Sequence, residues 1–284
     1  MNSKMKMKSI LLGAPLIEAV VFCGWFFSLT PTGKADWDQP FLIMPKAEFS
    51  ADGKKVTVEN IRDFHYRTEK DYDVRYRTET YDLDSVKTVD YSVTYWDGAT
   101  LFGHVLLSFG FADGRYLVFS SEARLTRGHV YELLPGFFRQ YELIFICATE
   151  TDALQLRTHH RRYEDSSVYL YPTRTTPEEA RILLTDLLRR ANVLREHPEF
   201  YNGLFYNCFS TLGPSLQKIG IDYCGPWHGL FNGLSDKWGW ERGWLNRARP
   251  GESFEEYRKR HFINPMVENL VDPPNYSQLI RSKW

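Results

Sequence analysis

Apolar and polar positions alternate through much of the first half of the chain, and the period lengthens to that of a helix in the second half. Val86 to Tyr95 repeats every two residues around Val89, Tyr91, Val93 and Tyr95, which predicts a strand. Phe102 to Phe111 is an apolar run closed by Asp113-Gly114. Tyr116 to Phe119 is a second run, leading into Ser120-Ser121-Glu122-Ala123-Arg124, and the two predict a β-hairpin. Lys54 to Tyr66, with Val56, Val58 and Ile61, predicts a strand and a turn, and Leu143–Ala148 and Val168–Tyr171 predict further strands. Lys70 to Asp84 is tyrosine-rich and charged, and no element is assigned there. From Thr176 the period changes. Thr176 caps, Pro177 suits the first helical position, Glu179 completes a capping box, and Leu183, Leu184, Leu187, Leu188, Ala191 and Leu194 form one apolar face ending near Pro198. Asn207 is placed to cap a helix opening at Cys208, with Gly213-Pro214 expected to kink or restart it. The pattern predicts an α+β fold, an antiparallel sheet with packed helices.

The N-terminus reads differently. Ser9 to Leu29 is one bilayer crossing long, with Glu18 its only charge, and Lys4, Lys6 and Lys8 precede it. The positive-inside bias then keeps residues 1–8 in the cytoplasm, makes 9–29 a retained anchor, and sets the rest outside the cytoplasm. A cleaved signal peptide and a buried soluble helix are the alternatives. Residues 30–45, with three prolines, read as a linker, 46–222 as the catalytic domain, and 223–284 as an extension. That extension opens with Trp227, Phe231, Trp238, Trp240 and Trp244, expected to be an irregular lid packed on the domain rather than a lipid-facing surface.

Composition narrows the function mainly by exclusion. A formal net charge of −1 with no like-charge block excludes a nucleic-acid partner. The cysteines are Cys23, Cys147, Cys208 and Cys224, with no CxxC pair, and the histidines form no HxxxH or HxH arrangement, so neither a metal nor a cofactor is expected. His159-His160, among Arg157, Arg161 and Arg162, reads as a charged, solvated surface strand or loop rather than a phosphate or headgroup contact. No GxSxG, Walker-type or GxGxxG motif occurs.

Two residues carry candidate chemistry: His104, opening a strand, and Cys208, opening a helix. A thiol in a first helical turn feels the positive end of the helix dipole, and an imidazole from a strand can complete the pair. With a three-residue loop, Ala112-Asp113-Gly114, Phe111 pairs with Arg115 and Glu122 falls opposite His104, where a carboxylate would orient the ring. A two-residue loop would bring Ala123 there instead. Ser120 is the fallback orienter under the first register.

At these residues the chain resembles the Lnb N-terminal periplasmic domain family of bacteria. The resemblance rests on Val58 to Arg67, His104 to Leu117, Ser121-Glu122-Ala123-Arg124, Gly136 to Leu143, Arg195 and Asn207-Cys208, within residues 56 to 212. It implies a circularly permuted papain-like (NlpC/P60-like) fold, Cys208 as nucleophile and His104 as base. For at least one branch it implies lipoprotein N-acylation, the acyl chain passing from phospholipid through an enzyme thioester to an amine. Phe209 and Ser210 stand where the family usually has two threonines, and the acyltransferase branch carries further membrane segments after this domain. Asn207, Arg124, Arg139 and Tyr201 are expected as substrate or structural supports. The expected activity is a membrane-anchored thiol acyltransferase whose partner is a membrane lipid or lipoprotein. The alternatives are a hydrolase with the same site (a cell-wall amidase-peptidase or a lipid deacylase) and a non-enzymatic envelope module.

Overall fold

The period-two segments assemble into one nine-stranded sheet. A computed structural model describes residues 17–96, 100–160, 166–222, 225–246, 249–268, 270 and 273–284. The strands are β1 (Lys46–Phe49), β2 (Lys55–Arg62), β3 (His65–Tyr66), β4 (Tyr72–Asp73), β5 (Tyr76–Asp82), β6 (Val86–Tyr95), β7 (His104–Phe111), β8 (Tyr116–Arg124), β9 (Tyr141–Ala148), β10 (Ser167–Pro172) and β11 (Phe200–Tyr201). The sheet runs β1-β2-β9-β8-β7-β6-β10, with β5 also on β2 and β11 on β9, while β3 and β4 form a separate ribbon. Every pairing is antiparallel except the single β2–β9 contact, Arg62 with Ala148. The tyrosine-rich segment, assigned no element from its pattern, supplies β4 and β5. Only Tyr81 of β5 is buried, so this edge strand lacks the apolar alternation that betrays the others.

Both faces of the sheet are covered, giving an α+β domain of three layers. Val105, Leu107, Phe109, Phe119 and Phe145 point towards the long helix Pro177–Glu196 and its row of leucines. That helix begins at a complete Thr176–Glu179 capping box. Leu106, Val118, Ile144 and Ile146 point the other way, towards Ala153, Leu154, Ile263, Val267, Tyr276 and Ile280. Strand β7 is therefore buried along its whole length, which places its first residue, His104, in the interior.

Three segments depart from the sequence reading. Residues 151–160 form a π-helical stretch, Thr151–His160, with Asp152 through Thr158 buried, not a solvated strand or loop. Its charges are neutralised by partners from the sheet: Arg62 Nε bonds Asp152 Oδ1 at 2.9 Å, and Arg157 Nη2 bonds Glu122 Oε1 at 3.0 Å. Charges paired in the fold are invisible to a linear pattern. Arg161 and Arg162 lie outside the described residues. Residues 30–45, read as a linker, are fastened to the domain, with Trp37 and Phe41 buried and Glu142 Oε1 accepting from the Thr32 (2.6 Å) and Gly33 (3.0 Å) amides. Of the expected membrane span, residues 17–28 are helical and 9–16 lie outside the described residues. Among the described residues no helix is long and apolar enough to cross a membrane.

Candidate active site

Hairpin geometry sets the histidine. Gly114 takes φ +84°, the left-handed conformation that a three-residue loop with a closing glycine requires. Phe111 N–H bonds Arg115 O at 3.0 Å, and the register runs from Gly110↔Tyr116 to Leu106↔Ser120. Continued by one further pair on that face, it sets Glu122 opposite His104. The side chains meet accordingly: His104 Nε2 is 2.9 Å from Ser120 Oγ, Ser120 Oγ is 2.8 Å from Glu122 Oε1, and Glu122 Oε1 is 3.5 Å from His104 Nε2. Ser120 thus makes the shorter contact to the ring, with Glu122 behind it.

Proton counting then fixes the tautomer. Arg157 gives Glu122 a buried cation partner. Against the penalty of burial, the Arg157 charge and the hydrogen bond with His104 hold the Glu122 carboxyl well below its ordinary range. An ionised carboxylate only accepts, so Ser120 spends its one proton on Glu122 and accepts from Nε2–H of His104. Nε2 of His104 thus carries a proton, and the ring is oriented by a relay that runs back to a buried arginine.

The cysteine is positioned by a turn rather than by a long helix. Asn207 Oδ1 accepts from the Phe209 (3.0 Å) and Ser210 (3.1 Å) amides, and Asn207 Nδ2 donates to Gly203 O (2.9 Å) and Gly229 O (2.7 Å). Past the cysteine the chain makes a 3₁₀ turn, Ser210–Leu212, and restarts as a five-residue α-helix at Gly213–Gln217. So short a helix brings little dipole to the sulfur. Burial dominates instead and pushes the Cys208 thiol up to about 11.

The sulfur fills a gap between strands. Because Phe111 N–H faces β8, the odd-numbered residues of β7 aim their main-chain groups at β8. The ladder stops at Leu106↔Ser120, leaving Gly103 C=O and Val105 N–H beyond its last rung. Cys208 Sγ fills that gap: it donates to Gly103 O at 3.7 Å and faces the Val105 amide. The thiol thus sits against the main chain on either side of His104. Asn232 Nδ2 also donates to Sγ, at 3.1 Å, and its Oδ1 accepts from Gly103 N–H at 2.9 Å.

The remaining expected site residues divide. Tyr201, buried, packs edge-on against the Tyr131 ring, with ring centroids 5.9 Å apart. Arg124 is remote in role: its guanidinium donates to Phe41 O and Leu42 O (3.0 and 2.9 Å) and lies 4.3 Å over the Trp37 ring, holding the 37–42 segment. Arg139, at φ +57°, lies 4.5 Å over the ring of Phe26 and fastens the N-terminal helical segment. The sequence pattern misses two site residues. Arg157 looks like surface because of its basic neighbours. Asn232 carries no local signal, since its role depends on a fold-back of the extension.

The fold and site define an α+β domain with a buried cysteine beside an oriented histidine. The chain belongs to the Lnb N-terminal periplasmic domain family, whose family model matches residues 72–221, just over half of the chain. The match contains His104, Ser120, Glu122, Arg157, Tyr201 and Cys208; it excludes the Val58–Arg67 block and Asn232. The chain matches none of the curated proteins and none of the solved structures with which it was compared. Among the described residues no group of three or more His, Cys, Asp or Glu is placed to hold a metal ion.

Proposed function

We propose that this protein is a thiol acyltransferase of the bacterial envelope, built on a permuted papain-like frame and held at the inner membrane by residues 9–29. Cys208 is the nucleophile, His104 its base, and Ser120 and Glu122 the groups that orient the ring. The observation that carries the reading is the relay Arg157–Glu122–Ser120–His104, which orients the His104 ring, with the buried Cys208 thiol against the main chain of the preceding residue, Gly103. A histidine of purely structural role has no need of a buried ion pair to set its tautomer.

The reaction follows from those groups. As Cys208 Sγ attacks an ester carbonyl, its proton passes to His104, a C–S bond forms and the carbonyl π pair moves onto oxygen. Collapse of that oxyanion breaks the ester C–O bond, and His104 returns the proton to the leaving alkoxide. An amine then attacks the thioester, forming a C–N bond, breaking the C–S bond and giving a proton back to the thiol through His104. Apolar surroundings favour transfer over hydrolysis, because water competes with the amine for the thioester. An open groove of about 690 Å³ lies against the loop that leads into Cys208, lined by Phe22, Phe26, Phe137, Phe138, Phe200 and Phe205. It suits a lipid acyl chain better than a peptide stem.

The test supplies phospholipid vesicles and a diacylglyceryl lipopeptide with a free amine. Acyl-lipopeptide that forms with wild-type protein and not with Cys208→Ala is the expected result. Free fatty acid alone would reassign the protein as a lipid deacylase, and cleavage of peptidoglycan fragments without acyl chemistry would reassign it as a cell-wall peptidase.

A further inference from the structure

Acyl chemistry at Cys208 requires donors for the oxyanion, and the start of a helix is the usual source. Here that source is already engaged. The Phe209 and Ser210 amides bond Asn207 Oδ1, at 3.0 and 3.1 Å. A side chain poised at the sulfur can supply the donor instead.

We propose that Asn232, from the segment beyond the family-matched region, is the oxyanion donor of the Cys208 site, so that the C-terminal extension completes the active centre. The assignment rests on the thiol acyl-transfer reading above. Its amide is buried and its orientation is fixed by chemistry: Gly103 N–H can only donate, so it must face Oδ1, and Nδ2 is turned onto the sulfur. The forming oxyanion lies two bonds from that sulfur, within the sweep of the same amide.

The segment carrying Asn232 is anchored independently of it. Tyr95 Oη donates to Gly233 O and Tyr91 Oη to Ser235 Oγ, both at 2.6 Å, and Tyr171 Oη donates to Asp236 Oδ2 at 2.8 Å. Gly233 allows the close approach. A Cβ there would stand 2.5 Å from Thr100 O and 2.7 Å from the Leu101 carbonyl carbon, both backbone atoms of the stretch that enters β7. Three tyrosines of the sheet and one glycine thus hold the amide against the sulfur without using the amide itself. The chemical step is unchanged: the S–C bond forms, the thiol proton goes to His104, and the carbonyl pair moves to the oxygen that Asn232 Nδ2 then holds until the ester C–O bond breaks.

The experiment separates nucleophilicity from oxyanion stabilisation in the full-length protein. Acylation of Cys208 by p-nitrophenyl butyrate develops an oxyanion, whereas its alkylation by iodoacetamide does not. In Asn232→Ala and Asn232→Asp the ratio of acylation rate to alkylation rate should fall about 100-fold or more. Asn232→Asp keeps the acceptor for Gly103 N–H and lacks the donor, so it carries the test if Asn232→Ala folds poorly. Its added charge would itself repel an oxyanion, so a fall in Asn232→Asp counts only where the uncharged Asn232→Leu shows it too. A ratio within a few-fold of wild type in both variants, with Cys208→Ala inert, would overturn the role of Asn232 alone. First-turnover nitrophenolate release in Cys208→Ala equal to wild type would overturn the thiol reading and this assignment together.

Discussion

Cys208 rests as a neutral thiol, which separates this site from those that keep a preformed thiolate. Asn232 Nδ2 donates to its sulfur and the Val105 amide faces it, yet burial outweighs both and pushes it up to about 11. Iodoacetamide alkylation of Cys208 in the absence of substrate should therefore climb tenfold per pH unit from pH 7 to 9. A plateau beginning below pH 8 would show a thiolate already formed and contradict this account. The residue pair is visible in the sequence, because a cysteine after a capping asparagine and a histidine opening an apolar run are local features, although the cysteine lies in a turn and not at a helix start. How the sulfur is tuned is not, because the helix length depends on Gly213-Pro214 and the burial depends on neighbours distant in the chain.

At the scale of elements, the hairpin and the π-helical stretch form one unit. The hairpin was legible because loop length and strand period together determine which residues share a face, and Ala112-Asp113-Gly114 left few registers to choose from. The stretch 151–160 was not, since Arg157 beside His159 and His160 looks like a solvated charge run until Glu122 is placed over it. That pair is buried, so removing one partner should strand the other. Arg157→Met should cost about 3–5 kcal/mol in chemical denaturation, and adding Glu122→Leu should recover most of that loss. The double variant should still lack acylation activity, because Ser120 would have no carboxylate to hold its proton. Equal stability of wild type and Arg157→Met would show that the pair does not organise this layer.

At the scale of the molecule, the C-terminal layer seals one face of the sheet with titratable groups. Arg281 bonds Asp90 Oδ2 at 2.7 Å and also Glu150, while burial pushes the Asp90 carboxyl up to about 6. His261, fully buried, donates Nδ1–H to Tyr257 O at 2.7 Å, and burial lowers it to about 4. The two act in opposite senses. Between pH 6.5 and about 4 the unfolded chain protonates His261 more readily than the folded one, so that residue's contribution is lost on acidification. Between about 6 and 3.8 the folded chain protonates Asp90 more readily, so that residue's contribution grows on acidification. Wild-type stability should change little from pH 6 to 4.5. Over the same range His261→Gln should gain stability on acidification and Asp90→Asn should lose it, by about 1–2 kcal/mol each, measured by urea unfolding at a series of pH values. Parallel slopes in the two variants would contradict the assignment. None of this was readable from the chain alone, where residues 223–284 offered tryptophans and glycines but no period, and where the partners Asp90 and Arg281 stand at opposite ends of the domain sequence.

The claim on which the rest depends is that Cys208 carries an acyl group. Intact-protein mass spectrometry after incubation with phospholipid vesicles tests it most directly. Wild-type protein should gain the mass of one fatty acid less water, mapped to Cys208 and released by hydroxylamine. Cys208→Ala, His104→Ala and the double variant should gain none, since members of a cooperating pair fail together. An adduct that persists in Cys208→Ala, or wild-type protein that turns over lipid with no adduct even when the acceptor amine is withheld, would contradict the account.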